Sequence, residues 1–304
     1  MIKPRGSINL DRLKVCFKSN DYIINSLQEL FKESGDTLDF MDFRLVRIDE
    51  KDTDHMTVAA DMDMDGEAHR LGHFKFSVNG MYRDYAFFTF ECRALYTPFM
   101  TYMGEKSSIA GMVEDIAAVI GLQFNNITMC EIALDTNLNI LNSVRKGVRN
   151  TEQLDMVVNG KRVAYPSRKI DDYCEIFSAT RERLIMLPTI SIKQKKEDGL
   201  KLKIYNKSKE MGEVSPTKRE YIPAWDDIPE SQTIYRVEVT VRNQDIADYC
   251  RMMCIPTEEA LYRLMNNVQN FRNELWSWCS GRLLYFKDKS TGETVDILDT
   301  YAYC

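Results

Sequence analysis

Period-two stretches alternate with helical ones along the chain, and the period-two stretches carry its polar chemistry. Leu200–Glu210 is the sharpest case. Leu200, Leu202 and Ile204 fall on one face of a strand, and Lys201, Lys203 and Tyr205 on the other. Thr233–Arg242 repeats the pattern: Tyr235, Val237, Val239 and Val241 turn toward a core, while Arg236, Glu238, Thr240 and Arg242 share the opposite face. In Asn126–Asp135, Met129, Glu131, Ala133 and Asp135 line one face, and Cys130, Ile132 and Leu134 the other. Further strands are expected at Ser7–Lys18, Phe43–Ile48, His55–Ala60, Tyr82–Leu95, Asp172–Ser178 and Thr189–Lys193. Asn159-Gly160 marks a tight turn inside a hairpin over Met156–Ala164. A closing hairpin is expected from Leu283–Lys287 and Thr294–Leu298.

Helical spacing appears in Asp21–Glu33, with Asn20 as its cap and Gly35 as its stop. It recurs in Ser107–Ile120, ended by Gly121, and in Leu138–Val148, capped by Thr136 or Asn137. Asp245–Met253 and a long Thr257–Ser280 complete the set, and Gly212–Pro229 reads as an irregular loop. This order predicts an α+β fold: a central, mostly antiparallel sheet with helices packed on one face and polar residues of three strands exposed on the other. A border near Ile255-Pro256 would divide residues 1–255, a catalytic domain, from 256–304, a small helical and hairpin extension.

Composition changes this picture in two places. Across 304 residues, 44% are hydrophobic and 28% charged, as in an ordinary globular protein. No apolar run approaches the ~20 residues of a membrane helix. Met1–Asn9 has Lys3 and Arg5 but no apolar core of a secretory signal, and the eight cysteines form no Cys-x-x-Cys. Reduced thiols, a cytoplasmic location and no membrane partner are therefore expected. The net charge of −6 argues against a nucleic-acid partner, but its distribution argues for one. Residues 142–220 hold 18 Lys+Arg against 11 Asp+Glu, a local +7, which leaves −13 for the rest. DNA would meet the middle of the chain.

The candidate chemistry lies in that middle. Tyr205 stands among Lys201, Lys203, Lys207 and Lys209, where a phenol is poised to ionise and to meet a phosphate. Glu131 and Asp135 flank Ala133 on one strand face and leave room for a cation. The three histidines, His55, His69 and His73, include no His-x-His pair, so a metal would be held by carboxylates. Asp61, Asp63, Asp65 and Gly66 resemble the start of a calcium loop, but its twelfth position is Gly72 instead of a bidentate Glu, so a hairpin loop is expected. Glu91 is a charge inside an apolar run, placed to pair with Arg93 or to act as a ligand.

Ile204-Tyr205-Asn206-Lys207-x-x-Glu210, followed about thirty residues later by Tyr235-Arg236-Val237-Glu238, resembles the replication-initiation-factor family. These are rolling-circle initiators of plasmids and filamentous phages, with related relaxases of conjugative elements. The opening Ile8-x-Leu10-Asp11-x-Leu13-x-Val15-x-Phe17 and the Glu131-x-Ala133-x-Asp135 strand resemble the family's first and metal-bearing strands. The family has Asp where Glu131 stands and a Gly-Ser-rich segment where Pro188–Lys193 lies. The resemblance implies that Tyr205 nicks DNA and retains a 5′-phosphotyrosine, with Lys207 and Arg236 offsetting transition-state charge. It implies Mg²⁺ or Mn²⁺ on Glu131, Asp135 and Glu238. The expected partner is origin DNA, single-stranded or cruciform, held by Lys193, Lys195, Lys196, Lys203, Arg145, Lys146 and Arg149. A host helicase and a second copy of the chain are the further partners this reading admits. Three alternatives stay open: a conjugative relaxase, a non-catalytic DNA-binding regulator in which Tyr205 only stacks, and a structural protein with no nucleic-acid partner.

Overall fold

The computed structural model describes residues 6–40, 43–48, 54–64, 67–79, 81–96, 109–163, 189–194, 199–214, 216–222 and 228–300. The fold is α+β and dominated by sheet. Its strands are β1 (Gly6–Lys18), β2 (Thr37–Phe40), β3 (Phe43–Ile48), β4 (His55–Met64), β5 (Glu67–Ser77), β6 (Tyr85–Phe90), β7 (Gln123–Thr136), β8 (Leu154–Val158), β9 (Lys161–Arg162), β10 (Thr189–Lys193), β11 (Lys201–Asn206), β12 (Tyr235–Arg242), β13 (Leu284–Asp288) and β14 (Thr294–Val295). Its helices are α1 (Asp21–Ser34), α2 (Cys92–Tyr96), α3 (Ile109–Val119), α4 (Ile140–Arg149), α5 (Lys207–Val214), α6 (Asn243–Met252), α7 (Ala260–Asn266) and α8 (Phe271–Leu283). A ten-stranded sheet runs in the order β10-β11-β12-β7-β1-β6-β5-β4-β3-β2, and a four-stranded sheet in the order β14-β13-β8-β9. The strand candidate Asp172–Ser178 lies outside the described residues.

The chain forms two compact units, one of Leu10–Cys130 with Ile246–Gln269, the other of Met1–Asn9, Glu131–Asp245 and Asn270–Cys304. In the first, β1 pairs antiparallel with β6, and from β6 through β5, β4 and β3 to β2 the antiparallel pairs are sequence neighbours. The alternation that predicted these strands buries Val15, Phe17, Phe74, Phe76 and Phe88, with the Phe74 and Phe88 rings 4.6 Å apart. Asn20 Oδ1 accepts from Ile23 N at 3.0 Å and caps α1 as its sequence position predicted. Asp61 and Asp63 are not in a hairpin loop: they belong to β4, where Asp61 is buried and held by Arg70 beside a register shift. Asp65 and Gly66 lie outside the described residues. The expected strand Tyr82–Leu95 is shorter, because the chain turns into α2 after Phe90, and Glu91 at that turn is exposed.

The second unit holds β10, β11 and β12, the second sheet, and helices α4, α5 and α8. Asn159 and Gly160 adopt φ of 49° and 74°, the paired left-handed turn that Asn-Gly permits, and join β8 to β9. Helix α4 is capped by Asn139, whose side chain accepts from Asn142 N at 3.0 Å, three residues later than Thr136. Thr136 Oγ1 instead accepts from Leu138 N at 3.2 Å in the turn before it. Gly147 lets α4 approach the second sheet, since a Cβ there would meet the Phe286 ring at 2.8 Å. The stretch expected as one helix, Thr257–Ser280, is two. Asn267, Gln269 and Asn270 take left-handed φ of 48°, 52° and 60° and separate α7 from α8. Asn tolerates that region because its short side chain hydrogen-bonds locally.

Gly72 on β5 gives a direct test of the first unit's packing. Its φ is 156°, and a Cβ would lie 2.2 Å from Thr89 O. The Gly72→Ala variant should lose at least about 2 kcal/mol, from backbone strain together with overpacking. Urea denaturation monitored by circular dichroism would measure the loss.

Candidate active site

The polar face of β11 and β12 is built by local rules before any tertiary contact. Strand β11 stops at Asn206 because Asn206 Oδ1 accepts from Lys209 N at 2.9 Å, capping a helix that begins at Lys207. Lys207 N and Ser208 N both donate to Ile234 O, at 2.8 and 3.2 Å. Ile234 N donates in return to Ser208 Oγ at 2.8 Å. The strand-to-helix turn is therefore tied to the residue that precedes β12, and Tyr205 is fixed just ahead of it. The antiparallel ladder sets Tyr205 opposite Arg236 and Lys203 opposite Glu238. Cross-strand partners lie on one face, so these four side chains are neighbours by register alone.

Glu238 is the hub of that face. The Tyr205 hydroxyl donates to Glu238 Oε2 at 3.1 Å, and Lys203 Nζ donates to Oε1 at 3.2 Å. The carboxylate is 5% exposed, so it is desolvated and satisfied on both oxygens by a phenol and a cation. Lys207 is 1% exposed, pairs with Glu210, and places Nζ 5.7 Å from the centroid of the Tyr205 ring. That is within the range of a cation–π attraction. Tyr205 thus has a carboxylate at its oxygen and an ammonium near its ring.

Arg236 and Asp135 form a second, fully buried pair. Arg236 Nε donates to Asp135 Oδ1 at 2.6 Å and its second guanidinium nitrogen to Oδ2 at 2.7 Å, and both residues are 0% exposed. This corrects two expectations. Arg236 is committed to a carboxylate, not turned toward a phosphate, and Asp135 is committed to a guanidinium, not available to a cation. A third expectation falls with them. The polar strand face is not open to solvent, for Thr240 is buried alongside Arg236, Glu238 and Asp135. Trp276 of α8 donates to Val237 O at 3.2 Å from within this packing.

Glu131 and Glu238 each offer a carboxylate oxygen, and these two atoms lie within 4.8 Å of one another. Asp11, in mid-β1, is buried and accepts from the Tyr96 hydroxyl at 3.0 Å. Its signal in the sequence was the change of apolar phase along β1, from Ile8 and Leu10 to Leu13, Val15 and Phe17, which falls at Asp11 and Arg12. A hard, all-oxygen donor set suits Mg²⁺ or Mn²⁺.

The basic residues separate into kinds. Lys203 is engaged by Glu238. Lys193 is exposed and stands opposite Lys201, while Lys195 and Lys196 lie outside the described residues. In α4, Lys146 and Arg149 are exposed at the C-terminal turn. Arg145 is half-buried, and its pKa is lowered by burial and then by Arg149, against a smaller opposing pull from Tyr235. Of the three, Lys146 and Arg149 face water. The chain matches no model of a known protein family, and no curated protein matches it.

The buried pair makes a stability prediction. Asp135→Asn leaves the Arg236 charge uncompensated in the interior and should cost about 3–5 kcal/mol. Glu238→Gln keeps its shape beside a partly exposed Lys203 and should cost about 1 kcal/mol. Equal losses in urea denaturation would show that Arg236–Asp135 is not the structural pair.

Proposed function

We propose that the chain is a metal-dependent, site-specific DNA nicking and joining protein that initiates rolling-circle replication. The observation that carries this reading is the hydrogen bond from the Tyr205 hydroxyl to Glu238, whose carboxylate lies close to that of Glu131. A nucleophilic tyrosine needs a base within hydrogen-bond reach, because an unperturbed phenol ionises only near pH 10, about three units above neutrality. Glu238 meets that geometric requirement.

Tyr205 Oη attacks a backbone phosphorus, and its proton passes to Glu238. The bond from phosphorus to the 3′-oxygen breaks, leaving the 5′ side on Tyr205 as a phosphodiester. The departing 3′-oxygen takes up a proton from water and becomes a primer terminus. Reversal joins the strand, since bond energy is kept in the phosphotyrosine. Lys207, held near the Tyr205 ring, would offset negative charge on the attacking and transferred groups. Lys203 orients Glu238 through its bond to Oε1. Glu131 and Glu238 would hold Mg²⁺ or Mn²⁺, which supplies Lewis-acid polarisation of a phosphoryl oxygen when bound. Arg236 and Asp135 act behind this layer by fixing β12 against β7.

Supercoiled plasmid carrying the cognate origin, incubated with protein and Mn²⁺, should give nicked product with protein attached to the 5′ end. Tyr205→Phe loses only the hydroxyl and should abolish both nicking and attachment while still binding DNA. Glu131→Gln should raise the Mn²⁺ concentration needed for half-maximal nicking by at least about tenfold. Covalent adduct formed by Tyr205→Phe would remove this tyrosine from the chemistry, and nicking insensitive to chelator would remove the metal.

A further inference from the structure

We propose that strands β10 and β11 form a phosphate track that leads a DNA strand to Tyr205, with Lys193 and Lys201 as its far clamp. The track rests on the nicking reading only for the place of the scissile phosphate. Three cross-strand pairs define it: Thr189 beside Tyr205, Ser191 beside Lys203, and Lys193 beside Lys201. Paired residues share a face, so these six side chains stand on the face that carries Tyr205. The reverse of the same strands is core, for Ile190, Ile192, Leu202 and Ile204 are buried.

The face opens toward the edge of the sheet. On β12, Arg236, Glu238 and Thr240 are buried. On β11, Lys201, Lys203 and Tyr205 are half-buried. On β10, the terminal strand in the sheet order, Ser191 is half-buried while Thr189 and Lys193 are exposed. A DNA strand therefore reaches the Tyr205 hydroxyl over β10 and β11, and not over β12.

Lys193 and Lys201 are what point to an anion. They are direct antiparallel partners, and like charges so placed destabilise a sheet. Among the described residues neither is paired with a carboxylate. The partner of Lys201 on β12 is Thr240, not an acid. Glu238, two residues from Thr240 on the same face, is held by Lys203 and Tyr205. Glu197 and Asp198 lie outside the described residues, in a segment whose Lys195 and Lys196 match their charge. A lysine on an edge strand such as β10 ordinarily discourages pairing with other chains. That reason does not reach Lys201, which lies on β11 between β10 and β12. An anion bridging the two ammonium groups removes their repulsion, and a backbone phosphate is the anion that the nicking reading supplies. Lys201 is four residues from Tyr205, about 13 Å along the strand. At about 3.4 Å per nucleotide of a stacked strand, clamp and scissile phosphate are at most about four nucleotides apart. Ser191 stands between clamp and tyrosine and offers a neutral donor to the intervening backbone.

The test uses the full chain carrying Tyr205→Phe, which silences covalent attachment, and a fluorescent oligo-dT of about 12 nucleotides. Anisotropy titrations across a salt series give the slope of log affinity against log salt. Lys193→Gln and Lys201→Gln should each make that slope shallower by about 0.7. Over the decade below 1 M this is about fivefold weaker binding at 0.1 M salt. Lys287→Gln, exposed on β13 of the second sheet, is the control and should leave the slope unchanged. Without DNA, the urea midpoint of Lys201→Gln should equal or exceed that of the parent, because a repulsion is removed. Unchanged slopes in both clamp variants, an equal change in Lys287→Gln, or a lowered urea midpoint for Lys201→Gln would each overturn the track. So would displacement of oligo-dT by millimolar inorganic phosphate at constant ionic strength, which marks a free-anion site. Failure of the nicking proposal is read separately, from adduct formation by the unsubstituted chain on origin plasmid. Absence of adduct with the slope changes intact removes the chemistry and leaves the clamp as a DNA-binding site.

Discussion

The Arg236–Asp135 ion pair is the constraint on which the site depends. Both residues are excluded from solvent, and the guanidinium meets the carboxylate through two short bonds. Such a pair adds little net stability over apolar residues of the same volume, because both charges must be desolvated. Its effect is on register. A slip of one residue in β12 would present Val237 to Asp135 and turn Arg236 and Glu238 into the valine layer, stranding three charges in apolar surroundings. The correct register is then the one in which Glu238 faces Lys203 and Tyr205. A buried pair thereby sets the position of the Tyr205–Glu238 pair beside it.

Tyr205 occupies the last pleat before the chain changes period from two to 3.6. A strand interior would hold the ring against its neighbours, and a free loop would leave the hydroxyl unaimed. The Asn206 cap and the two bonds to Ile234 stop the strand while holding its end to β12. The same turn buries Lys207 near the ring. The sequence placed Lys207 just past a strand end, among the cations around Tyr205. The helix α5 that starts there buries it.

Periodicity made most strands legible, since alternation is set by the pleat and survives any tertiary context. Asn20, Asn159-Gly160 and the closing hairpin were legible because caps and tight turns are local chemistry. What alternation could not reveal is what covers a polar face. Arg236, Glu238 and Asp135 alternate like solvent-facing residues, yet they are buried, because their charges are satisfied by one another across strands. Pairing across strands is a long-range fact that a single strand's pattern does not contain. Helix α5 was hidden because Gly212 and nearby prolines signal a loop, and its cap lies in the tyrosine strand itself. The break between α7 and α8 was hidden because Asn267, Gln269 and Asn270 keep the apolar spacing on either side.

The acidic total, −6, sharpens what a DNA-handling reading requires of this chain. On that reading Glu131 and Glu238 put two carboxylates where a phosphate must arrive, and Lys203 alone does not balance them. Without a divalent cation that pair repels the scissile phosphate. With one, the sum of formal charges from the two carboxylates, Lys203 and the ion becomes +1. Affinity for DNA therefore has to come from residues that do not serve the chemistry, and the carboxylate group contributes attraction only when loaded. On this proposal, binding and cutting separate: the carboxylates admit the phosphate only with a cation in place, and that requirement is how a chain with more acids than bases would handle a polyanion.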